Sequence, residues 1–167
     1  AGKQVLKPAT VREMHSSMTI IRNDPRTDSL LPETHFRSYG LGWFLEDYRG
    51  RKIVHHGGNI DGMTALVWMV PEENLGVVIL TNMNATSLPA ALAHHITDLY
   101  LGPTGRDWST EYLAFNREAQ RRAAANSGST ERNRVKDTKP SLSLERYVGT
   151  YENEMYGQLK IEQNDGK

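Results

Sequence analysis

Two apolar runs separated by a six-residue turn constrain this chain more than any other feature. Thr64-Ala65-Leu66-Val67-Trp68-Met69-Val70 and Val77-Val78-Ile79-Leu80 are rich in β-branched residues and do not alternate with polar ones. Runs without alternation read as strands buried on both faces, so helices are expected on both sides of the sheet. Between them, Pro71-Glu72-Glu73-Asn74-Leu75-Gly76 supplies turn chemistry, which makes an antiparallel pair the simplest reading.

The flanking sequence extends this pattern. Tyr39-Gly40-Leu41-Gly42-Trp43-Phe44-Leu45 reads as a strand in which Gly40 and Gly42 mark close backbone approach. Residues 46–50 turn the chain into Lys52-Ile53-Val54-His55, its hairpin partner. Further upstream, Pro8 to Met18 suits a short helix with proline in its first turn, and Arg22 to Glu33 reads as loop. After Asn82 the period changes. Thr86 or Ser87 can cap a helix that places Leu92, Ile96 and Leu99 in an apolar stripe and stops at Gly102-Pro103.

From Gly102 to Pro140 the chain is mostly polar, with eight Lys/Arg against five Asp/Glu. A helix over Asp107 to Asn126 is expected there, with Arg117, Arg121 and Arg122 on its solvated face, and then a mobile stretch to Lys139. Tyr147 to Tyr151 and Gln158 to Ile161 read as two strands. The class is therefore α+β.

Composition excludes several functions. Lys plus Arg equals Asp plus Glu, 20 each, so there is no basic footprint for nucleic acid. The absence of cysteine excludes disulfides and thiolate metal sites. No apolar run approaches the ~18–20 residues of a membrane span. The opening Ala1-Gly2-Lys3-Gln4 has neither an initiating Met nor an apolar segment. It reads as the middle of a longer gene product, so a missing signal peptide is uninformative.

The chemistry concentrates in Val54-His55-His56-Gly57-Gly58-Asn59-Ile60-Asp61-Gly62. A basic side chain ends a strand and two glycines follow, so no Cβ blocks a substrate from the strand edge. A backbone N–H presented there can stabilise a developing oxyanion. His55 alternates to the opposite strand face and reads as packing. Trp43 and Trp68 read as core, with Trp43 also a candidate to line a substrate cleft. His94 and His95 are adjacent on a helix and point ~100° apart, so they cannot chelate one ion, and His95 reads as a buried-edge histidine.

The order of motifs carries a resemblance. Tyr-Gly-Leu-Gly-Trp-Phe, a hairpin, His-Gly-Gly, an apolar strand, Pro-Glu-Glu-x-Leu-Gly, Val-Val-Ile-Leu-Thr-Asn and a helix run from about Val5 to Leu101. Together they resemble the C-terminal part of the serine β-lactamase and penicillin-binding-protein family, in its class C-like esterase and peptidase branch. That family's third motif is Lys-Thr-Gly or His-x-Gly on the edge strand beside the active site. His56-Gly57-Gly58 matches it. The resemblance implies that His56 polarises the substrate near the nucleophile and that the backbone N–H of Asn59 is an oxyanion donor. Gly57 stands where other members carry a hydroxyl residue, which favours a small ester or peptide over a β-lactam carboxylate. It further implies a partial antiparallel sheet flanked by helices over residues 1–102, a tether over 103–141, and the start of a small, incomplete β appendage over 142–167.

The matching nucleophile is absent. No serine or threonine here has Lys three residues later, and Gly-x-Ser-x-Gly does not occur. Tyr151-Glu152-Asn153 spells the family's second motif but follows the third, so it counts as coincidence. The expectation is a C-terminal fragment of a serine hydrolase acting on an ester, peptide or β-lactam, inactive alone, with no cofactor and no metal. Two alternatives stay open: a non-catalytic binding or assembly module on the same scaffold, and a metal-dependent enzyme using His55, His56 and Asp61. The strand Val77–Leu80 is expected to present an unpaired edge, which implies self-association or pairing with a missing N-terminal half. Compartment is open, and the resemblance alone favours the periplasm or the exterior.

Overall fold

A computed structural model describes residues 4–22 and 24–164, the side chains of 127–131 excepted. The outermost residues of the expected segments 1–102 and 142–167 lie outside the described residues. The chain divides into two compact units, Ala1–Ala123 and Ala124–Lys167.

The first unit holds a six-stranded antiparallel sheet whose strands follow chain order from edge to edge. They are β1 (Thr19–Ile21), β2 (Arg37–Tyr39), β3 (Phe44–Tyr48), β4 (Arg51–Ile60), β5 (Met63–Val70) and β6 (Leu75–Thr81). Helices α1 (Pro8–Met14) and α2 (Pro25–Leu30) precede β2, α3 (Leu88–Leu101) follows β6, and α4 (Trp108–Asn133) runs on from it. The architecture is α+β.

The expected strand over 39–45 is two strands around a turn. Gly40 donates its N–H to the Trp43 carbonyl at 2.8 Å, and Gly42 adopts a φ of 82° that only a residue without Cβ takes freely. Gly40 is the site of close approach. A Cβ there would lie 2.8 Å from the Ser16 carbonyl and still closer to that of Met14. The expected loop over 22–33 contains α2, because the Asp24 carboxylate accepts the Arg26 N–H at 2.9 Å and caps it ahead of Pro25.

The strands β5 and β6 are not covered on both faces, which corrects the reading of the apolar runs; the face they leave open is covered over β3 and β4, where Leu45 and Val54 are buried. Along β5, Thr64, Leu66, Trp68 and Val70 are buried, whereas the alternating Met63, Ala65, Val67 and Met69 are not. In β6, Val78 and Leu80 are 65% and 76% exposed. The buried set packs against α3, Trp108 and Tyr112 of α4, and the Leu30–Leu31 segment. The opposite face of β5 and β6 stands open among the described residues, and β6 has no second neighbour.

Helix α3 also turns a different face inward from the one expected. Leu92 and Leu99 are exposed, as is His95, while Ala93, His94, Thr97 and Asp98 are buried. Polar matching explains the rotation. Trp68 Nε1 donates to Thr97 Oγ1 at 3.0 Å. The Asp98 carboxylate accepts from Trp108 Nε1 at 2.6 Å, Tyr48 Oη at 2.7 Å, Thr104 Oγ1 at 2.8 Å and Arg49 at 3.1 Å. Burial pushes that carboxyl up, and these donors outweigh it and hold its pKa below the usual range. An apolar stripe could not satisfy these three buried indole and phenol groups.

Helix α4 continues past the expected end at Asn126 through Asn133. Its start is fixed by Asp107, which accepts from the Thr110 N–H at 3.1 Å and from its hydroxyl at 2.7 Å. In the second unit, β7 (Gly149–Asn153) and β8 (Gly157–Ile161) form an antiparallel hairpin, preceded by a 3₁₀ turn at Leu144–Tyr147. Its register places Tyr151 opposite Leu159 on one face and Glu152 opposite Gln158 on the other.

Candidate active site

Strand β4 carries the residues singled out by sequence, and its pairing changes midway. On one side it pairs with β3 from Tyr48↔Arg51 only as far as Phe44↔His55. On the other it pairs with β5 from Val54↔Met69 to Ile60↔Met63. From His56 onward, β4 therefore has β5 on one side and, among the described residues, no strand on the other. The turn that follows is tight, with Asp61 at φ 39° and Gly62 at φ 92°.

His55 and His56 face opposite sides of the sheet. His55 stacks on Phe44 at 5.4 Å and 22°, lies 5.1 Å from Trp68, and holds Nε2 3.6 Å from Glu46 Oε1. Burial pushes its imidazole down to about 4, with His94, His56 and Arg37 acting in the same direction. Glu46 is raised by burial, against the opposing Arg37 guanidinium 3.3 Å away. His56 is exposed, and the Tyr39 and Phe44 rings flank it at 6.2 and 5.6 Å. Since the two imidazoles diverge, they cannot share one ion. Among the described residues no group of three His, Cys, Asp or Glu could hold a metal.

The two glycines differ. A Cβ on Gly57 would press on the Ala65 carbonyl at 3.2 Å, so this position is tight against the neighbouring strand. A Cβ on Gly58 would meet nothing within 4 Å. Gly58 thus leaves open space beside His56, on the same uncovered face. Asn59 shares the Gly57 face, and its Oδ1 accepts from the Ala85 N–H at 3.1 Å and lies 2.6 Å from the Thr64 hydroxyl. That hydroxyl is also 2.8 Å from the Met83 carbonyl. The Asn59 side chain is therefore a clip between the β4–β5 hairpin and the loop after β6, and its backbone is what remains for a substrate.

Trp43 sits in the β2–β3 turn with its ring edge-on to His15 at 5.7 Å, and the aromatics beside His56 are instead Tyr39 and Phe44. Sequence reasoning treated both as strand residues. The signal for them was the Tyr39-Gly-x-Gly-x-Phe44 spacing, which folds the two rings across a hairpin to 4.7 Å. Thr64 and Ala85 were also missed, and only the fold brings them to Asn59. A cleft of about 760 Å³ is lined by Ile20, Phe36, Asp47 and Lys52, among others, and includes none of residues 54–62. Its Asp47 carboxylate is committed, since it accepts from the His35 and Phe36 N–H groups.

The arrangement is an open strand edge with a histidine on it, a glycine facing free space, and a backbone stiffened from behind. Such an edge can align an extended substrate and place N–H groups at a carbonyl oxygen. No described helix is long and apolar enough to cross a membrane.

Comparison with known proteins bears on this geometry. The profile of the beta-lactamase family matches residues 3–101, and a domain of unknown function, DUF3471, matches residues 133–167. An unguisins hydrolase of Aspergillus campestris is 30% identical over 164 residues, covering 94% of this chain and 29% of its own. The unguisins hydrolase of Aspergillus violaceofuscus is 33% identical over 142 residues, covering 78% and 24%. The protein flp of Staphylococcus aureus is 28% identical over 71 residues, covering 42% and 14%. The chain thus spans less than a third of the length of the curated relatives it matches. No solved structure matches it. With its family matched over more than half its length, the chain belongs to the beta-lactamase family of serine hydrolases.

Proposed function

We propose that this chain supplies one wall of a serine hydrolase active site and that the nucleophile comes from polypeptide outside it. The observation that carries this reading is the free edge of β4 at Gly57–Asn59, with Gly58 facing open space beside an exposed His56. In this reading the substrate carbonyl lies along that edge. A serine oxygen attacks the carbonyl carbon, and the Asn59 N–H donates to the oxygen that becomes negative. His56 hydrogen-bonds at the reacting group. The bond to the leaving amine or alcohol then breaks, the leaving group takes a proton, and water later cleaves the acyl-serine ester. One such N–H is worth about 3–4 kcal/mol of transition-state stabilisation. Gly57 offers no hydroxyl, which favours an ester or peptide over a β-lactam carboxylate.

Expression of this chain joined to the polypeptide encoded upstream of Ala1 tests the proposal. The longer protein is expected to contain Ser-x-x-Lys and to hydrolyse a nitrophenyl ester, with His56→Ala lowering kcat/KM about 100-fold or more. This chain alone is expected to show no turnover. Robust His56-dependent hydrolysis by the chain alone, or an upstream sequence without the motif, overturns the reading.

A second reading, that the chain binds a partner, draws on the open sheet face. Ile60, Met63, Val78 and Leu80 are 66%, 53%, 65% and 76% exposed and lie together by register. An apolar face of this kind beside an unpaired strand favours association, either with the polypeptide that carries the nucleophile or with a second copy.

A further inference from the structure

The free edge of β4 has a neighbour that the proposed chemistry does not use. Tyr39 and Phe44 stand opposite each other at the mouth of the β2–β3 hairpin, where the β3 ladder ends. Their rings meet edge-to-face at 4.7 Å. Phe44 is held from one side by its stack on His55, and it keeps 37% of its surface exposed. His56 completes a rim of three rings beside Gly57 and Gly58. This aromatic surface is supported from beneath: His55 is wedged between Phe44 and the buried Trp68.

We infer that Tyr39 and Phe44 form an aromatic subsite at the open edge of β4, taking an aromatic side chain of an uncharged, extended peptide. The inference rests on the reading of this edge as a substrate rim and adds to it the class of substrate.

Three features select that ligand. An unpaired strand edge offers N–H and C=O groups at strand spacing, and an extended peptide backbone complements them in a way that a small ester cannot. Ring faces and edges already set at fixed angles favour a further ring over an aliphatic side chain of similar size. The rim has no guanidinium or ammonium group to hold a carboxylate. It contains neither Lys nor Arg, Gly57 lacks a hydroxyl, and the Arg37 guanidinium is engaged by Asp28 at 3.1 Å and Glu46 at 3.3 Å.

Amide and ring resonances of the isotopically labelled full chain, titrated with three capped dipeptides, test the inference. The probes are N-acetyl-Phe-Ala-amide, N-acetyl-Leu-Ala-amide, and N-acetyl-Phe-Ala with a free carboxylate. The expected result is a shift of the Gly57, Gly58 and Asn59 amides by all three. The Phe amide should saturate at a concentration at least about threefold below that of the Leu amide, with no gain from the free carboxylate. Phe44→Leu should abolish the preference and preserve the glycine shifts. Equal saturation by the Phe and Leu amides overturns the subsite alone. So does a preference that survives Phe44→Leu, or tighter binding of the carboxylate form. No shift at Gly57–Asn59 with any probe overturns both the subsite and the rim on which it rests.

Discussion

The side-chain oxygen of Asn59 accepts a hydrogen bond from the backbone N–H of Ala85 at 3.1 Å, across 26 residues of chain. It joins the far end of β4 to the loop that leads into α3, where Ala85 itself holds a left-handed φ of 51°. The residue expected to present its backbone to a substrate is thus anchored through its side chain.

Because Asn59 Oδ1 acts only as an acceptor toward Thr64 and Ala85, an aspartate can replace it and an alanine cannot. Asn59→Ala is expected to lower unfolding free energy by about 1–2 kcal/mol, and Asn59→Asp at neutral pH by clearly less. Urea denaturation followed by fluorescence of Trp43, Trp68 and Trp108 measures both. Equal losses would show that the side chain fills space without forming the clip.

Acid should destabilise the first unit well before its surface carboxylates titrate. Burial lowers the imidazoles of both His55 and His94 from 6.5 to about 4. In the unfolded chain each gains a proton near pH 6.5, while in the folded chain neither does so until near pH 4. The unfolded state binds more protons across that window, so stability is full above about pH 7 and falls as pH drops from 6.5 toward 4. Each histidine accounts for up to about 3 kcal/mol, and Glu46, raised by burial, works in the opposite direction. Unfolding curves at pH 7.5, 6 and 5 test this. His55→Phe should flatten the dependence, and an unchanged slope would remove His55 from the account.

Two glycine substitutions should separate structure from site. Gly40→Ala forces a Cβ against the Met14 and Ser16 carbonyls, so a loss of about 2–3 kcal/mol is expected. Gly58→Ala adds a methyl to open space and should change stability by no more than about 0.5 kcal/mol. In the longer protein of the proposed function it is nevertheless expected to depress kcat/KM, because the methyl enters the open space beside His56. Thermal melts and ester kinetics give the two readouts.

The β6 edge, Leu75–Thr81, carries neither a charge nor a proline to discourage pairing. Self-association is expected at micromolar concentration, and Val78→Lys or Leu80→Lys should shift sedimentation toward the monomer without lowering the melting temperature. Both positions point away from the helices, which is why a charge is tolerated there. A monomeric parent chain would refute this.

Local pattern settled a large part of this protein. The strands β5 and β6, the first half of β4, the turns between them, and the start and stop of α3 follow from periodicity and turn residues close in sequence, whereas β4 runs on through His56-Gly57-Gly58 to Ile60 instead of ending at the histidine, because Gly57 to Ile60 keep pairing with β5. The opposed faces of His55 and His56 follow as well, since neighbours on a strand must diverge. Tertiary structure decided the rest. Apolar content could not reveal that one face of β5 and β6 stands uncovered, because that depends on which helices are present to cover it. Nor could it orient α3, whose inward face is set by buried donors on Trp68, Tyr48 and Trp108 that require Thr97 and Asp98. The aromatic rim of Tyr39 and Phe44 and the Asn59 clip likewise arise from residues brought together across hairpins and loops, where distance along the chain carries no information about distance in space.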